Sequence, residues 1–438
     1  MMVIAGWASS ARADESLHAT VTTSGGWTDN ILSASAAGDP NAPPVESDAF
    51  TQISPGLVFS QETRRLIHVA SYNFSANLFA GHSEANSFSN RLGWQSIYAM
   101  SPLSELSLSA GAANGRINTF NTVVPVDAVD FEPLPAGGTT YVSANAQESY
   151  RRELSRAWRL QQASSIRVFK PLDDAANQGT NYYLANGFGL ERGWQFDSLA
   201  TTLRLDYSVN GGGTAPSGEE FSSDQQILVG PEARYLHDFG ERLSGQVDAG
   251  VLAVVRADDF KRGLIQPTGS LALRWVDELG RAELMYRHGV QPNIFVAQTS
   301  ATDAVQLRAG IPVPWVERAS LGASIGYQRG RVLDLEAQAL EGTSELWVAD
   351  VGAAWRPRAE LTLALRYQRY QQSRDMAAPG TLVGYDRNQV VFSLTARYPG
   401  RQAAVIPFRS GARVDRSDER GFGDSPDPND VSAGSDRR

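Results

Sequence analysis

Charged residues recur at every second position of segments whose other positions are apolar. In the segment ELTLALRYQRY (360–370), Leu361, Leu363 and Leu365 alternate with polar residues that include Arg366. Successive side chains of a strand point to opposite faces, so this alternation predicts a strand with one apolar face and one polar face. If the apolar face contacts lipid, Arg366 faces a water-filled lumen. If it packs in a soluble core, the chain is a globular protein.

The same alternation, followed from the ninth predicted strand onward, places eight arginines and five carboxylates on the polar face. An arginine guanidinium forms fork-like hydrogen bonds with anionic or hydroxyl-bearing groups, so these residues could line the path of a sugar chain. They could equally form lumenal ion pairs that hold a wide barrel open, and both interpretations can hold together. The predicted lumen-lining residues are Arg204, Asp206, Glu232, Arg234, Asp248, Arg256, Arg274, Glu283, Arg287, Arg308, Asp350, Arg366 and Arg397.

No pattern of catalytic or metal-binding residues accompanies these charges. The sequence contains no cysteine and no phosphate-binding loop, and its one GxSxG match, GASIG at 322–326, lies inside a predicted strand rather than at a strand-to-helix elbow. A net charge of −9 argues against a nucleic-acid binder, because neutralising phosphates requires a basic face. The sequence therefore predicts no enzyme activity, no catalytic residue, no metal site and no cofactor. The histidines, none of which has a ligand-like spacing, are His18, His68, His82, His237 and His288.

Eighteen segments with this period of two are predicted to be strands. Every second connection is short, as in QETR at Gln61 and RPRAE at Arg356, whereas the others are longer and rich in Gly, Pro and Asp. The longest connection, 121–147, is either an inward-folding gate or an exposed surface loop. Pro231 and Pro312 lie inside predicted strands, where a missing N–H group predicts local bulges or shorter strands. The strands begin near residues 16, 48, 65, 87, 105, 148, 165, 180, 199, 224, 243, 266, 281, 303, 319, 345, 361 and 387.

Tryptophans near the short connections indicate which solvent touches the apolar faces. Each shares the parity of the apolar side of its strand, as Trp275 does with Leu271 and Leu273, which is typical of an aromatic girdle at a water–lipid boundary. A β-propeller would need four-strand repeats of similar sequence, and a β-sandwich rarely needs eighteen strands. We therefore predict an all-β, transmembrane, antiparallel up-and-down barrel of about 18 strands. The predicted girdle comprises Trp158, Trp194, Trp275, Trp315 and Trp355.

The two ends of the chain differ from this barrel pattern. Residues 1–13 form a short apolar run ending in Ala11, Arg12 and Ala13, which predicts a secretory signal peptide that lacks the usual basic region. Residues 14–398 are the predicted outer-membrane barrel. Residues 399–438 are charged and rich in Asp, Gly, Ser and Pro, which predicts a disordered tail. An even number of strands leaves both ends on one side, so this tail would lie in the periplasm.

The N-terminal part of the sequence resembles a known group of proteins. The stretches GGWTDNI, DAFTQISPGLVFS and RRLIHVASYNFSANLFAGHSEANSFSNRLGW are similar to the start of outer-membrane β-barrel porins that are encoded in exopolysaccharide loci. The similarity covers about residues 20–100, and beyond them only the strand pattern is shared. Barrels of this group usually end on an aromatic residue, whereas here forty residues follow Tyr398.

The resemblance implies a channel in the outer membrane of a Gram-negative bacterium that exports a secreted polysaccharide. Its implied partners are the lipid bilayer, the polysaccharide and polysaccharide-export proteins of the periplasm. The period-two pattern by itself predicts only the barrel. A general or solute-specific diffusion porin is the alternative function, a structural or assembly protein is the second, and a lipid hydrolase with a serine and a histidine on the outer wall is the third.

Overall fold

The chain forms one closed antiparallel sheet. The computed structural model describes residues 14–31, 45–116, 140–172, 179–214, 220–221, 223–293, 298–335, 338–374 and 384–398. Eighteen strands form the sheet, each pairing with its neighbours in chain order, and the last strand pairs with the first through Tyr398 opposite Ala19. The predicted eighteen-stranded up-and-down barrel is confirmed. Residues 1–13 and 399–438, the predicted signal peptide and tail, lie outside the described residues.

Most strands are 13 to 16 residues long, enough to cross a bilayer at the tilt that barrel strands adopt. The barrel strands are β1 (Asp14–Thr28), β2 (Asp48–Glu62), β3 (Leu66–Phe79), β4 (Ser87–Ser101), β5 (Ser104–Arg116), β6 (Thr140–Glu153), β7 (Trp158–Pro171), β8 (Asn181–Gly193), β9 (Asp197–Asn210), β12 (Asp224–Asp238), β13 (Leu243–Arg256), β14 (Gly263–Asp277), β15 (Gly280–Asn293), β16 (Gln298–Pro312), β17 (Ala319–Asp334), β18 (Ala339–Arg358), β19 (Leu361–Arg374) and β20 (Tyr385–Tyr398). Two short strands, β10 (Gly213–Thr214) and β11 (Glu220–Phe221), form a separate hairpin, and one 3-10 helix spans Ser83–Ala85. Among the described residues, no helix is long and apolar enough to cross a membrane.

Short and long connections alternate around the barrel, as the sequence predicts. The short turns are two residues long at 102–103 and at most six, at 313–318. Four predicted strand starts are off by five residues or more: β6 begins at Thr140 instead of near 148, β7 at Trp158 instead of near 165, β18 at Ala339 instead of near 345, and β16 at Gln298 instead of near 303. The polar residues of β6 hide its alternation. Residues 140–147 of the predicted long loop therefore belong to a strand, and residues 121–139 lie outside the described part.

The prolines disturb the sheet less than expected. Pro231 keeps its place opposite Leu203 on β9, and only the ladder towards β13 lacks paired residues at Gly230 and Pro231. Pro312 is the last residue of β16, where a missing N–H group matters little. The predicted bulges at these two prolines are wrong. Shifts in register occur instead between Ala99 and Ser101, between Gly330 and Val332, and between Trp355 and Arg358.

Burial distinguishes the inner face from the outer face. On β19 the side chain of Leu365 is 53% exposed, whereas Tyr370, of opposite parity, is 6% exposed. The inner face of a closed barrel is concave, so its side chains lie closer together and are more buried than those of the outer face. The face that carries buried polar side chains is therefore the inner one. Those polar side chains include Asp206, Gln306 and Asp350. The opening leucines lie on the outer face.

Candidate permeation path

The thirteen predicted lumen-lining residues share one face of the sheet. The strand register places each of them at an inner position, and neighbouring strands bring several into direct opposition. Arg234 lies opposite Asp248, and Arg274 lies opposite Glu283. Arg397 faces inward opposite Thr20 of β1. Alternation within one strand fixes the face on which each residue lies. Only the register between paired strands shows which charged residues lie beside each other.

Each of the five carboxylates in this set is paired with an arginine of the set. Arg204 holds two of them, with its Nε 2.6 Å from Asp206 Oδ2 and its Nη1 3.5 Å from Glu232 Oε1. Three further pairs join Arg234 Nε to Asp248 Oδ1 at 2.7 Å, Arg274 Nη2 to Glu283 Oε1 at 3.0 Å, and Arg366 to Asp350. The geometry therefore agrees with the ion-pair interpretation of these residues and leaves their contact with a solute open.

The other arginines of the set bind groups outside it. Arg308 donates to Gln306 Oε1 at 2.8 Å, and Arg256, at the end of β13, pairs with Asp258 of the next loop at 3.0 Å. Arg287 lies opposite Ser270. Arginines outnumber carboxylates among the thirteen, eight to five, but the inner faces of β8, β12 and β15 add Glu191, Asp224, Asp238 and Arg281, so this part of the wall is nearly balanced in charge. We call the inner face of β8, β9 and β12–β19 the ion-pair wall.

The inner face of β1–β5 has a different chemistry, and we call it the hydroxyl wall. Apart from Glu105 near the short-turn end of β5 and the strand-end residues Asp14, Asp48 and Glu62, the inner positions of these five described strands hold one charged residue, Arg91. Hydroxyls and amides bond to each other there: Gln52 Nε2 donates to Ser75 Oγ at 2.9 Å, and Ser54 Oγ donates to the same oxygen at 3.0 Å. Ser16 and Ser60 share a 2.6 Å hydrogen bond.

A recess of about 210 Å³ lies where β6–β9 meet β12. Its inward lining includes Gln147, Ser165, Thr202, Arg204 and Glu232. Gly187 of the GFGLERG segment also lines the recess, and a Cβ there would lie 3.3 Å from Thr202 Cγ2. Hydroxyl, amide, guanidinium and carboxylate groups converge on this recess, which can therefore exchange hydrogen bonds with a polar solute.

Sequence reasoning missed inner charges that precede the ninth strand. Arg151 of β6 and Arg159 of β7 both approach Glu191 of β8, at 3.9 and 3.3 Å. Arg387 of β20 was also missed, and its guanidinium lies 5.7 Å from the ring centre of Tyr370. The parity of β8 would have identified Glu191, whereas the misplaced starts of β6 and β7 concealed the two arginines.

The predicted tryptophans lie at the rim with the short turns. Trp158 and Trp355 are outward residues close to strand ends, and Trp315, in a turn, is 84% exposed. Trp194 also lies in a turn, and the Arg192 guanidinium is 4.9 Å from its ring centre. Trp275 faces outward opposite Leu243 on β13.

A second ring of aromatic side chains, which the sequence reading did not single out, lies nearer the long loops. Five outward tyrosines each donate a phenolic hydrogen bond to an acceptor on the next strand. The pairs are Tyr72 with Asn90 at 2.7 Å, Tyr207 with Gln225 at 2.8 Å, Tyr286 with Asp303 at 3.0 Å, Tyr327 with Glu345 at 3.2 Å and Tyr367 with Asn388 at 2.7 Å.

On β18 the outer surface between the two rings is apolar. There Trp347 and Trp355 flank Val351, which is 52% exposed. Eight residues separate the two tryptophans, which at about 3.3 Å per residue and a tilt near 40° gives a belt roughly 20 Å tall. A closed barrel with an apolar belt between aromatic girdles satisfies all backbone groups inside lipid. The barrel spans a bacterial outer membrane.

One cluster at the long-loop rim contains ligand-type side chains. Glu46, His82 and Glu84 place their donor atoms within 4.8 Å of one another, a set that could hold a metal ion and that comes from two separate loops. The His82 ring lies between Glu46 Oε2, 2.8 Å from Nε2, and Asp48 Oδ2, 3.2 Å from Nδ1. The hydrogen bond to Asp48 raises the pKa of His82 above its usual 6.5.

A serine and a histidine do meet on this chain, but on the inner face. Ser16 Oγ lies 3.2 Å from His18 Nε2 on β1, whose even positions point inward. The hydrolase hypothesis requires such a pair on the outer wall, so this contact gives it no support.

Comparisons with known proteins find solved barrel structures that have low sequence identity to this chain. The chain is similar to the copper transporter OprC (7% identity, TM-score 0.46, covering 88% of this chain and 80% of that one). It is also similar to Pseudomonas aeruginosa OpdK solved with vanillate (11% identity, TM-score 0.44, 87% and 99% coverage) and to Acinetobacter baumannii OccAB3 (11% identity, TM-score 0.43, 87% and 99% coverage). No family model and no curated protein matches the chain.

Proposed function

We propose that this protein is a passive diffusion channel for small hydrophilic solutes across the outer membrane. The observation that supports it most directly is the ion-pair wall, where each of the five predicted carboxylates is matched by an arginine. Barrels of sixteen to eighteen strands are wide enough to leave an aqueous path. A wall whose charges are paired can form hydrogen bonds with a solute without binding it tightly. Rapid passage requires binding that lets the solute enter and is weak enough to let it leave.

The exposure of the ion pairs suggests which solutes pass most readily, because Arg234, Arg274 and Arg366 are each more exposed than the carboxylate they pair with. Cationic groups that reach the lumen raise the local concentration of anions, because field lines are focused in a narrow aqueous path with low-dielectric walls. The recess beside Arg204 would offer an anionic or hydroxylated solute a transient site, with Gln147 and Thr202 as hydrogen-bonding neighbours. We therefore expect weak anion preference rather than tight binding.

Single-channel recording in planar bilayers tests this function. Wild type should give a steady open conductance with a reversal potential shifted towards the anion in a salt gradient. The double variant Arg274→Ala with Arg366→Ala should keep the conductance and lose most of that shift. Insertion of folded barrels with no conductance in any solute would refute the proposal.

Export of a secreted polysaccharide is the second candidate. It is the function that the resemblance over residues 20–100 implies, and the hydroxyl wall favours it, because neutral hydroxyls and amides exchange hydrogen bonds with sugar hydroxyls one for one. Partners in the periplasm would then supply the driving force. Reversible block of the conductance by a neutral or anionic polysaccharide, weakened by replacing Ser54 and Ser75 with alanine, would favour export, and indifference to all polysaccharides would favour solute diffusion.

A further inference from the structure

A polar patch interrupts the apolar belt on the outer face of β6–β8. Glu148 of β6 lies opposite Ser164 of β7, and Ser164 lies opposite Asn186 of β8. Gln162, also on the outer face of β7, donates to Ser164 Oγ at 2.6 Å. We call Glu148, Gln162, Ser164 and Asn186 the mid-belt patch. Their inner-face neighbours include Gln147 and Arg151, which confirms by parity that the patch faces outward.

The patch lies within the membrane belt, in the half nearer the second aromatic ring. Ser164 is six residues beyond Trp158 of the girdle on the same strand, which at about 3.3 Å per residue and a 40° tilt corresponds to roughly 15 Å. At comparable positions the far wall of the barrel carries only apolar outer side chains. Val351 of β18, Leu365 of β19 and Phe392 of β20 are 52%, 53% and 52% exposed.

The hydrogen bonding of the patch is incomplete. Ser164 Oγ donates to Asn186 Oδ1 at 3.2 Å, which uses the acceptor of that amide. Within the part of the chain that the structure describes, no group donates to the Glu148 carboxylate and none accepts from the Asn186 amide nitrogen. Acyl chains provide neither donors nor acceptors, so a bilayer leaves these groups unsatisfied. A protein surface would satisfy them.

Small side chains lie on one side of Glu148. Ala146, the next outward residue of β6, is opposite Ala110 of β5, and Ala144 is opposite Ala112. Alanines in membrane-embedded surfaces allow the backbones of two proteins to approach closely, and polar side chains then bond across the contact. The patch therefore combines close approach with unused hydrogen-bonding capacity.

We propose that the outer face of β5–β8 is the interface through which this protein binds a second copy of itself in the membrane. Copies related by an axis along the membrane normal meet at equal depth, so a patch that holds both a carboxylate acceptor and amide donors at one depth is complementary to itself. The Glu148 carboxylate of each copy would accept from the Asn186 or Gln162 amide of the other. A bilayer-facing patch on an unrelated membrane protein need not contain this match.

Cysteine cross-linking tests the interface, because the sequence contains no cysteine. Single variants Ala146→Cys and Ser164→Cys, and the two combined, are treated in native outer membranes with a short bismaleimide. Val351→Cys, which also faces lipid but on the far wall, is the matched control. We expect a product of twice the chain mass from the patch variants, at least tenfold more abundant than from the control. Equal yields from both walls, or a product of another mass, would overturn the proposal.

A second experiment separates assembly from folding. In the variant Glu148→Leu, Gln162→Leu, Ser164→Leu, Asn186→Leu the belt is continuous, and the barrel should fold and conduct as wild type does. Native mass spectrometry in mild detergent should find wild type as more than one copy and the variant as a single copy. If wild type is already a single copy, or if the variant stays assembled, the interface lies elsewhere. Neither outcome bears on whether the barrel conducts, so the proposed function stands or falls separately.

Discussion

The two walls of the lumen expose polar atoms to water with different chemical groups. Both must present polar atoms to water on one side of a sheet whose other side is apolar. The ion-pair wall does so with arginine–carboxylate pairs such as Arg234 with Asp248, and the hydroxyl wall with neutral groups such as Ser54 and Ser75. A charged pair must stay intact, since either partner alone is a desolvated charge, whereas a hydroxyl can lose its partner to water at little cost.

The difference between the walls indicates where the side chains of the barrel are rigid and where they tolerate substitution. Asp206 is 1% exposed and bonds both Arg204 and the Tyr183 hydroxyl, which lies 2.7 Å from it. Such a network fixes side chains in one arrangement and sets a field in the lumen. Along the hydroxyl wall the same positions can exchange partners with passing solutes, so substitutions there should change permeation more than stability.

The largest expected effect comes from breaking the most buried pair. Asp206→Ala leaves the Arg204 guanidinium in a largely buried site, with Glu232 at 3.5 Å as the one remaining carboxylate that the described residues place beside it, so we expect a loss of about 3 to 5 kcal/mol in the free energy of unfolding. Ser107→Ala on the hydroxyl wall is the control and should change it by less than about 0.5 kcal/mol. Reversible urea unfolding in lipid vesicles measures both. Equal losses in the two variants would remove the distinction between the walls.

The next effect checks that the walls face the lumen at all. Leu365→Arg puts a cation in the lipid belt and should destabilise the barrel by about 2 to 4 kcal/mol. Thr362→Arg, three residues away on the inner face, places the same cation in water and should cost less than about 1 kcal/mol. The same unfolding assay applies. A larger loss for Thr362→Arg than for Leu365→Arg would reverse the assignment of faces.

The face of the sheet on which most residues lie could be predicted from the sequence, for a physical reason. Strand parity fixes the face of every residue once one face is known, so Leu361 and Trp275 sufficed to place Arg366 and its relatives inside. Pairing was not accessible, because it depends on the register between neighbouring strands, and a long connection such as 211–223 does not fix that register, as for Arg204 with Glu232. Strands β6 and β7 were misplaced because the mid-belt patch gives their outer faces polar residues, which erases the alternation.

A smaller effect concerns selectivity rather than stability. The Arg234 side chain is half exposed, and Asp248 keeps hydrogen bonds from Ser270 and Gln246 without it. Arg234→Gln should therefore cost at most about 1 kcal/mol of stability while it lowers the anion preference of the channel. Ser107→Arg adds the opposite change to the hydroxyl wall and should raise that preference. Reversal potentials that move in the same direction for both variants would contradict a lumen field set by wall charges.

The smallest effect lies at the long-loop rim of the hydroxyl wall, where His82 joins two loops. Its pKa is raised above 6.5 chiefly by the hydrogen bond to Asp48, so the ring is more readily protonated in the folded protein than in the unfolded one. A group with a raised pKa stabilises the fold fully below pH 6.5, and this contribution disappears as pH rises through the folded pKa. We therefore expect the contact between residues 45–48 and 81–84 to loosen on the alkaline side, while the ion-pair wall keeps its structure over the same range because arginine stays charged.

Titration of the His82 ring by NMR should give a midpoint above 6.5 in wild type and a lower one in Asp48→Asn. The matched variant Asp303→Asn, at the His288 pair on the opposite side of the barrel, should leave the His82 midpoint unchanged, and a midpoint at or below 6.5 in wild type would show that the two loops are not joined through this ring.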